Sequence, residues 1–108
     1  MEESVKHENI KAILNKLPRV DNMESSRGND ISNQFIISGA DFTLFQSYRS
    51  PIALRKDGKT YIFKDWDYST TTGKYRNQFL GETKDETLRK LKNKEYIAVD
   101  FEVEGAVE

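Results

Sequence analysis

Ile10, Ile13, Leu14 and Leu17 fall at i, i+3, i+4 and i+7, the spacing that lines one side of a helix, and they predict a helix over residues 4–17. Ser4 is a residue type that caps a helix N-terminus, and Pro18 stops the helix because it has no amide hydrogen to continue the ladder. The apolar stripe has to be covered by the rest of the domain or by a partner. The sequence leaves both open. Residues 18–32 read PRVDNMESSRGNDIS, where Pro, Gly, Asn, Asp and Ser crowd out apolar positions, and they predict a loop or linker.

The pattern then turns to β structure. Residues 34–37 and 42–48 flank the turn signal Ser38-Gly39-Ala40-Asp41 and predict a hairpin. A second hairpin pairs residues 52–55 with 60–64 around Asp57-Gly58, a dipeptide suited to the positive backbone angles of a tight turn. Past Trp66, the hydroxyls at 69–72 offer helix caps, Tyr75 and Phe79 share a face, and Gly81 suits a left-handed terminus. Thr83 and Glu86 have the spacing of a capping box, with Leu88 and Leu91 as the apolar face of the helix that follows. Strict alternation over 96–103, with Ile97, Val99, Phe101 and Val103 on one side, predicts a half-buried strand.

This order predicts an α+β single domain: an antiparallel sheet of four to five strands, an N-terminal helix, and two short helices before the last strand. The divisions are a helix at 1–17, a linker at 18–32, the domain at 33–103 and an acidic tail at 104–108.

Composition changes the picture in three ways. The 108 residues suit one domain, and the absence of cysteine excludes a disulfide scaffold, a thiolate metal site and a cysteine nucleophile. The longest apolar run is Phe35-Ile36-Ile37, far short of a membrane span, and the acidic start Met1-Glu2-Glu3 is unlike a secretory signal; a cytoplasmic protein is expected. The net charge of −1 conceals an asymmetry. Residues 49–94 hold twelve Lys/Arg against six Asp/Glu, whereas 95–108 hold five acids and no base.

Catalytic chemistry finds no support in the pattern. His7 is the sole histidine, and nothing around Ser47, Ser50 or Ser69 builds a nucleophile elbow. Asp65 and Asp67 flank Trp66 and read more simply as acids at a strand end than as a cation site. The six glycines match no phosphate-binding loop. No catalytic residue, cofactor or metal ligand is therefore assigned. Tyr75 to Phe79 is where a polar network that fixes the packing is expected, because buried amides must be satisfied. Asn33-Gln34-Phe35 recurs as Asn77-Gln78-Phe79, a coincidence unless the amides pair.

The run Trp66-Asp67-Tyr68-Ser69, Thr71-Thr72 and Lys74-Tyr75-Arg76-Asn77-Gln78-Phe79-Leu80 resembles the most recognisable segment of a family of small uncharacterised proteins from phages and mobile elements of Firmicutes. Asn33-Gln34-Phe35, Phe45-Gln46-Ser47-Tyr48 and Ile52-Ala53 are similar to the rest of that pattern, which spans residues 27–97. The resemblance implies provenance and carries no activity or site residues. It favours a non-enzymatic accessory protein that binds and inhibits a host macromolecule, in its most specific form an anti-CRISPR-type inhibitor of an RNA-guided nuclease. Glu95, Asp100, Glu102 and Glu104 are its candidate partner-binding acids, since such a nuclease holds nucleic acid in a positively charged channel. The alternative is a nucleic-acid-binding accessory protein that uses the basic, aromatic middle, with Lys74, Arg76, Arg89 and Lys90 as phosphate contacts. The oligomeric state is left open.

Overall fold

The computed structural model describes residues 2–99, with side chains from residue 9 onward. It begins with helix α1 (Glu2–Asn15) and continues through strands β1 (Arg19–Glu24), β2 (Asp30–Ser38), β3 (Phe42–Ser47), β4 (Ser50–Lys56) and β5 (Lys59–Phe63). Helices α2 (Thr70–Leu80) and α3 (Lys84–Lys92) follow, and strand β6 (Ile97–Val99) closes the described chain. The strands form one six-stranded sheet in sequence order. β1 to β5 are an antiparallel meander, and β6 pairs parallel with β5. No helix among the described residues is long and apolar enough to cross a membrane.

The α+β class stands, with two corrections to the sheet. The predicted linker contains β1, an edge strand that buries only Met23. A register irregularity between Asn22 and Glu24 breaks the period-two pattern by which an edge strand would be read. The sheet is also mixed rather than antiparallel. α2 and α3 form a crossover that returns β6 alongside β5 in the same direction, a topology strict alternation does not encode. Two smaller corrections concern the helices. α1 runs from Glu2 to Asn15, so Ser4 lies within its first turn and Leu17 lies beyond its end. α3 turns Thr87 inward and leaves Leu88 exposed. The predicted strand residues 100–103 and the tail 104–108 lie outside the described residues.

Local chemistry accounts for the remaining boundaries. Asp57 and Gly58 both take positive φ, 53° and 74°, in the β4–β5 turn, as a two-residue hairpin of matching twist requires. Gly39 is needed for space: a Cβ there would lie 2.1 Å from the Phe42 ring. Ser69 caps α2 by accepting from the Thr72 amide, Gly81 ends it at φ 72°, and Thr83 with Glu86 forms a complete capping box on α3.

Cross-strand pairing sorts the side chains onto two faces. Ile36, Phe45, Ala53 and Ile62 pair in a row beneath the helices. The register shift between Phe45 and Gln46 lets neighbouring Ile52 and Ala53 both be fully buried, against the usual alternation. Phe45, Ile52, Met23 and Tyr75 make one cluster; Ala53, Ile62, Leu80 and Tyr96 make the other; and Trp66 and Phe79 pack against both. The core thus lies between the sheet and the α2–α3 layer.

Candidate partner-binding site

Two kinds of feature compete as a functional site: polar clusters inside the helix layer and an apolar stripe outside it. The inward face of α2 is Thr72, Tyr75, Arg76 and Leu80, so a charge sits where an aliphatic residue is usual. The Arg76 side chain is 1% exposed. Its Nη1 donates to the Trp66 carbonyl at 2.8 Å and to Asp67 Oδ1 at 3.1 Å, while Nη2 and Nε donate to Asn77 Oδ1 at 2.9 and 3.3 Å. The guanidinium also lies 4.8 Å from the Trp66 ring centroid, a cation–π stack. Lys84 Nζ reaches the other oxygen of Asp67 at 2.6 Å and ties the start of α3 to the same carboxylate.

Next to it, Ser69 and Ser47 both bond to the Thr72 hydroxyl, at 3.0 and 2.9 Å, linking α2 to β3. Gln78 donates to the Glu24 carbonyl at 2.9 Å, which holds α2 to β1. The polar network expected around residues 75–79 is therefore present, although the two Asn-Gln-Phe copies do not pair: the buried Gln34 amide makes no hydrogen bond.

A second cluster converges on Glu82, whose side chain is 3% exposed. It accepts from Thr87 Oγ1 at 2.5 Å, Lys90 Nζ at 2.7 Å and Tyr96 Oη at 2.7 Å. Burial alone would raise its pKa, but these three donors outweigh burial and hold it below the usual carboxylate range. The Lys84 bond, reinforced by Arg76, lowers Asp67 likewise. Lys90 is raised by its bond to Glu82, and Tyr96 is raised by burial and then by the same carboxylate.

The sign of the pH dependence follows. A depressed carboxylate contributes stability in full above its ordinary value, near 3.8 for Asp67 and 4.5 for Glu82, and loses it as pH falls further. A raised Tyr96 contributes below about 10.0 and loses its share as pH rises past that value. The melting temperature of the wild type is therefore expected to fall steeply between pH 4.5 and 3, and that of Glu82→Gln less steeply. Thermal melts across this range, compared for the two proteins, check it.

These clusters tie elements together and leave little for chemistry. Asp67 is engaged by two cations, which makes it a poor base, and no group of three or more potential metal ligands occurs among the described residues. A groove of about 640 Å³ opens beside the start of α2, with Asp67, Ser69, Lys74, Asn77 and Lys84 in its lining. The basic middle is also not one free surface. Arg76 is buried, Lys90 is paired with Glu82, Lys56 with Asp41 and Lys84 with Asp67. Arg55 lies over Phe79 and donates to the Leu80 carbonyl. Of the four residues considered for phosphate, Lys74 lies over the Tyr75 ring and Arg89 is exposed in the last turn of α3. Of the four candidate acids, Glu95 is exposed just before β6, and Asp100, Glu102 and Glu104 lie outside the described residues.

The apolar stripe behaves differently. Ile10, Ile13, Leu14 and Leu17 are 54%, 62%, 58% and 60% exposed, so α1 lays none of the four on the domain. Three aliphatic residues on one face of α1, with Leu17 just past its end, all held in water, form the arrangement that docks into an apolar groove on another protein.

Searches of curated proteins and of solved structures found no match. A family model does match, over residues 19–97, from the start of β1 to the start of β6, which leaves α1 outside. On that match, across well over half of its length, the chain belongs to a family of unknown function, DUF8033.

Proposed function

We propose that this chain is a non-enzymatic binding protein whose helix α1 is an arm that docks a partner protein. The observation that carries this reading is the apolar stripe of Ile10, Ile13 and Leu14 on α1 with Leu17 just past its end, each more than half exposed at the margin of a separately built core. The family match supports it, because the matched segment holds β1 to β5, α2, α3 and the start of β6 without α1.

Phage or mobile-element provenance, implied by the motif over residues 27–97, makes a host macromolecule the natural target. Inhibition is then the natural outcome, and an RNA-guided nuclease is its most specific form. Glu95 and the acids at 100, 102 and 104 would oppose nucleic acid in such a nuclease's channel while α1 anchors the complex.

The test is an affinity pull-down of the tagged full-length chain from bacterial lysate, with and without nuclease treatment. One stoichiometric protein retained after nuclease treatment is the expected result, and its identity names the target. Recovery of nucleic acid that is lost at moderate salt would overturn the reading in favour of phosphate contacts through Lys74 and Arg89.

A further inference from the structure

The sheet has a second face, opposite the helices, and the register builds a continuous apolar row on it. Val20 pairs with Ile37, Ile37 with Leu44, Leu44 with Leu54, Leu54 with Tyr61, and Tyr61 with Ile97, so one row crosses all six strands. None of the six belongs to either core cluster or packs against one, and the outer two are open, Val20 at 60% and Ile97 at 39%. Phe35, Phe42 and Phe63 flank the row on the same face, by strand alternation. No helix among the described residues covers it: α2 and α3 lie on the other face, and the α1 stripe is exposed.

We propose that this face is a homodimer interface, in which the open sheet of one copy stacks on that of a second. Three arguments select the occupant. First, the dimensions suit a sheet. With strands about 4.8 Å apart the row is about 24 Å wide, whereas the stripe on α1 from residue 10 to 14 runs about 6 Å and would cover less than half of it.

Second, the area suffices. With its flanking phenylalanines the face offers on the order of 500 Å² per copy, or about 1,000 Å² for two, the lower bound for a specific interface. The largest apolar patch on a lone monomer is of this size and is often functional. Third, the row itself contains no acid or base, the charges on this face being Lys56 and Lys59 at its margin beside Phe42, so nothing in the row selects a charged partner, and an uncharged row suits a second copy of itself under a two-fold rotation. The inference is independent of the docking role of α1. It adds that the dimer carries two such arms.

Sedimentation equilibrium on the full-length chain from about 10 µM to 1 mM is the test, and a reversible dimer with Kd in the tens to hundreds of micromolar is expected. Leu54→Lys should be monomeric over the whole range with an unchanged circular dichroism spectrum. If that central substitution prevents folding, Val20→Lys and Ile97→Lys, at open positions, should each weaken association at least tenfold. Ile13→Asp/Leu14→Asp in α1 should leave it unchanged. A monomer at 1 mM, a dimer indifferent to the row substitutions, or a dimer lost with the α1 pair would each overturn the proposal, and the last would do so without touching the fold.

Discussion

Arg76→Ala is expected to cost the domain about 3–5 kcal/mol, the range for removing one partner of a buried, hydrogen-bonded ion pair. Three losses add up at this position. The Trp66 carbonyl and the Asn77 amide oxygen lose their donors, the Trp66 ring loses its cation, and a cavity the size of a guanidinium and its stem opens under α2. Asp67 suffers least, since Lys84 still pairs with it from the surface side. Small domains have only about 5–15 kcal/mol of total stability, so a large share of the chains would unfold at physiological temperature. Arg76→Lys should recover little, because an ammonium cannot span the Trp66 carbonyl, Asp67 and Asn77 at once. Urea denaturation of the three proteins measures the order directly: wild type first, then Lys, with Ala lowest.

Glu82→Ala is the second large effect, expected at about 2–3 kcal/mol. The carboxylate is the common acceptor for Thr87, Lys90 and Tyr96, so its removal takes this acceptor from the Tyr96 hydroxyl, leaves Thr87 only its bond to the Thr83 carbonyl, and loosens the end of α3 from the segment that leads into β6. Lys90 retains access to water, which keeps the loss below that at Arg76. Glu82→Gln preserves an acceptor for Thr87 and Tyr96 and should cost about 1 kcal/mol. Equilibrium unfolding orders these variants too, and a loss at Ala no greater than at Gln would show that the carboxylate does not organise the junction.

How far such features were legible in the sequence depends on the distance over which they are decided. The Asp57-Gly58 turn, the Thr83–Glu86 capping box and the Gly81 terminus are each settled within four residues, and each is found as read. β1 was missed because an edge strand that buries only Met23 shows no alternation, and its register irregularity removes what little there was. The direction of β6 was missed because it depends on how α2 and α3 cross the sheet.

Arg76 reads from the sequence both as part of a structural network and as a phosphate contact; the structure buries its side chain within the network. A signal was available, since Thr72, Tyr75, Arg76 and Phe79 fall at i, i+3, i+4 and i+7 and put a charge in the middle of an inward stripe. Glu82 had no comparable signal. Its partners lie five, eight and fourteen residues away and meet only when α3 and β6 have packed. The open sheet row was latent in the strand alternation, but only the register aligns its six members.

The proposed function requires α1 to be an arm held out for a partner and not a part of the domain. Ile13→Asp/Leu14→Asp places two charges on the stripe, and thermal melting together with lysate pull-down on the wild type and this variant separates an arm from a piece of the core. An unchanged melting temperature and loss of the protein captured by the wild type are expected. A melting temperature lowered by many degrees would place the stripe in the core, and capture that survives both substitutions would place the binding surface elsewhere; either result contradicts the claim.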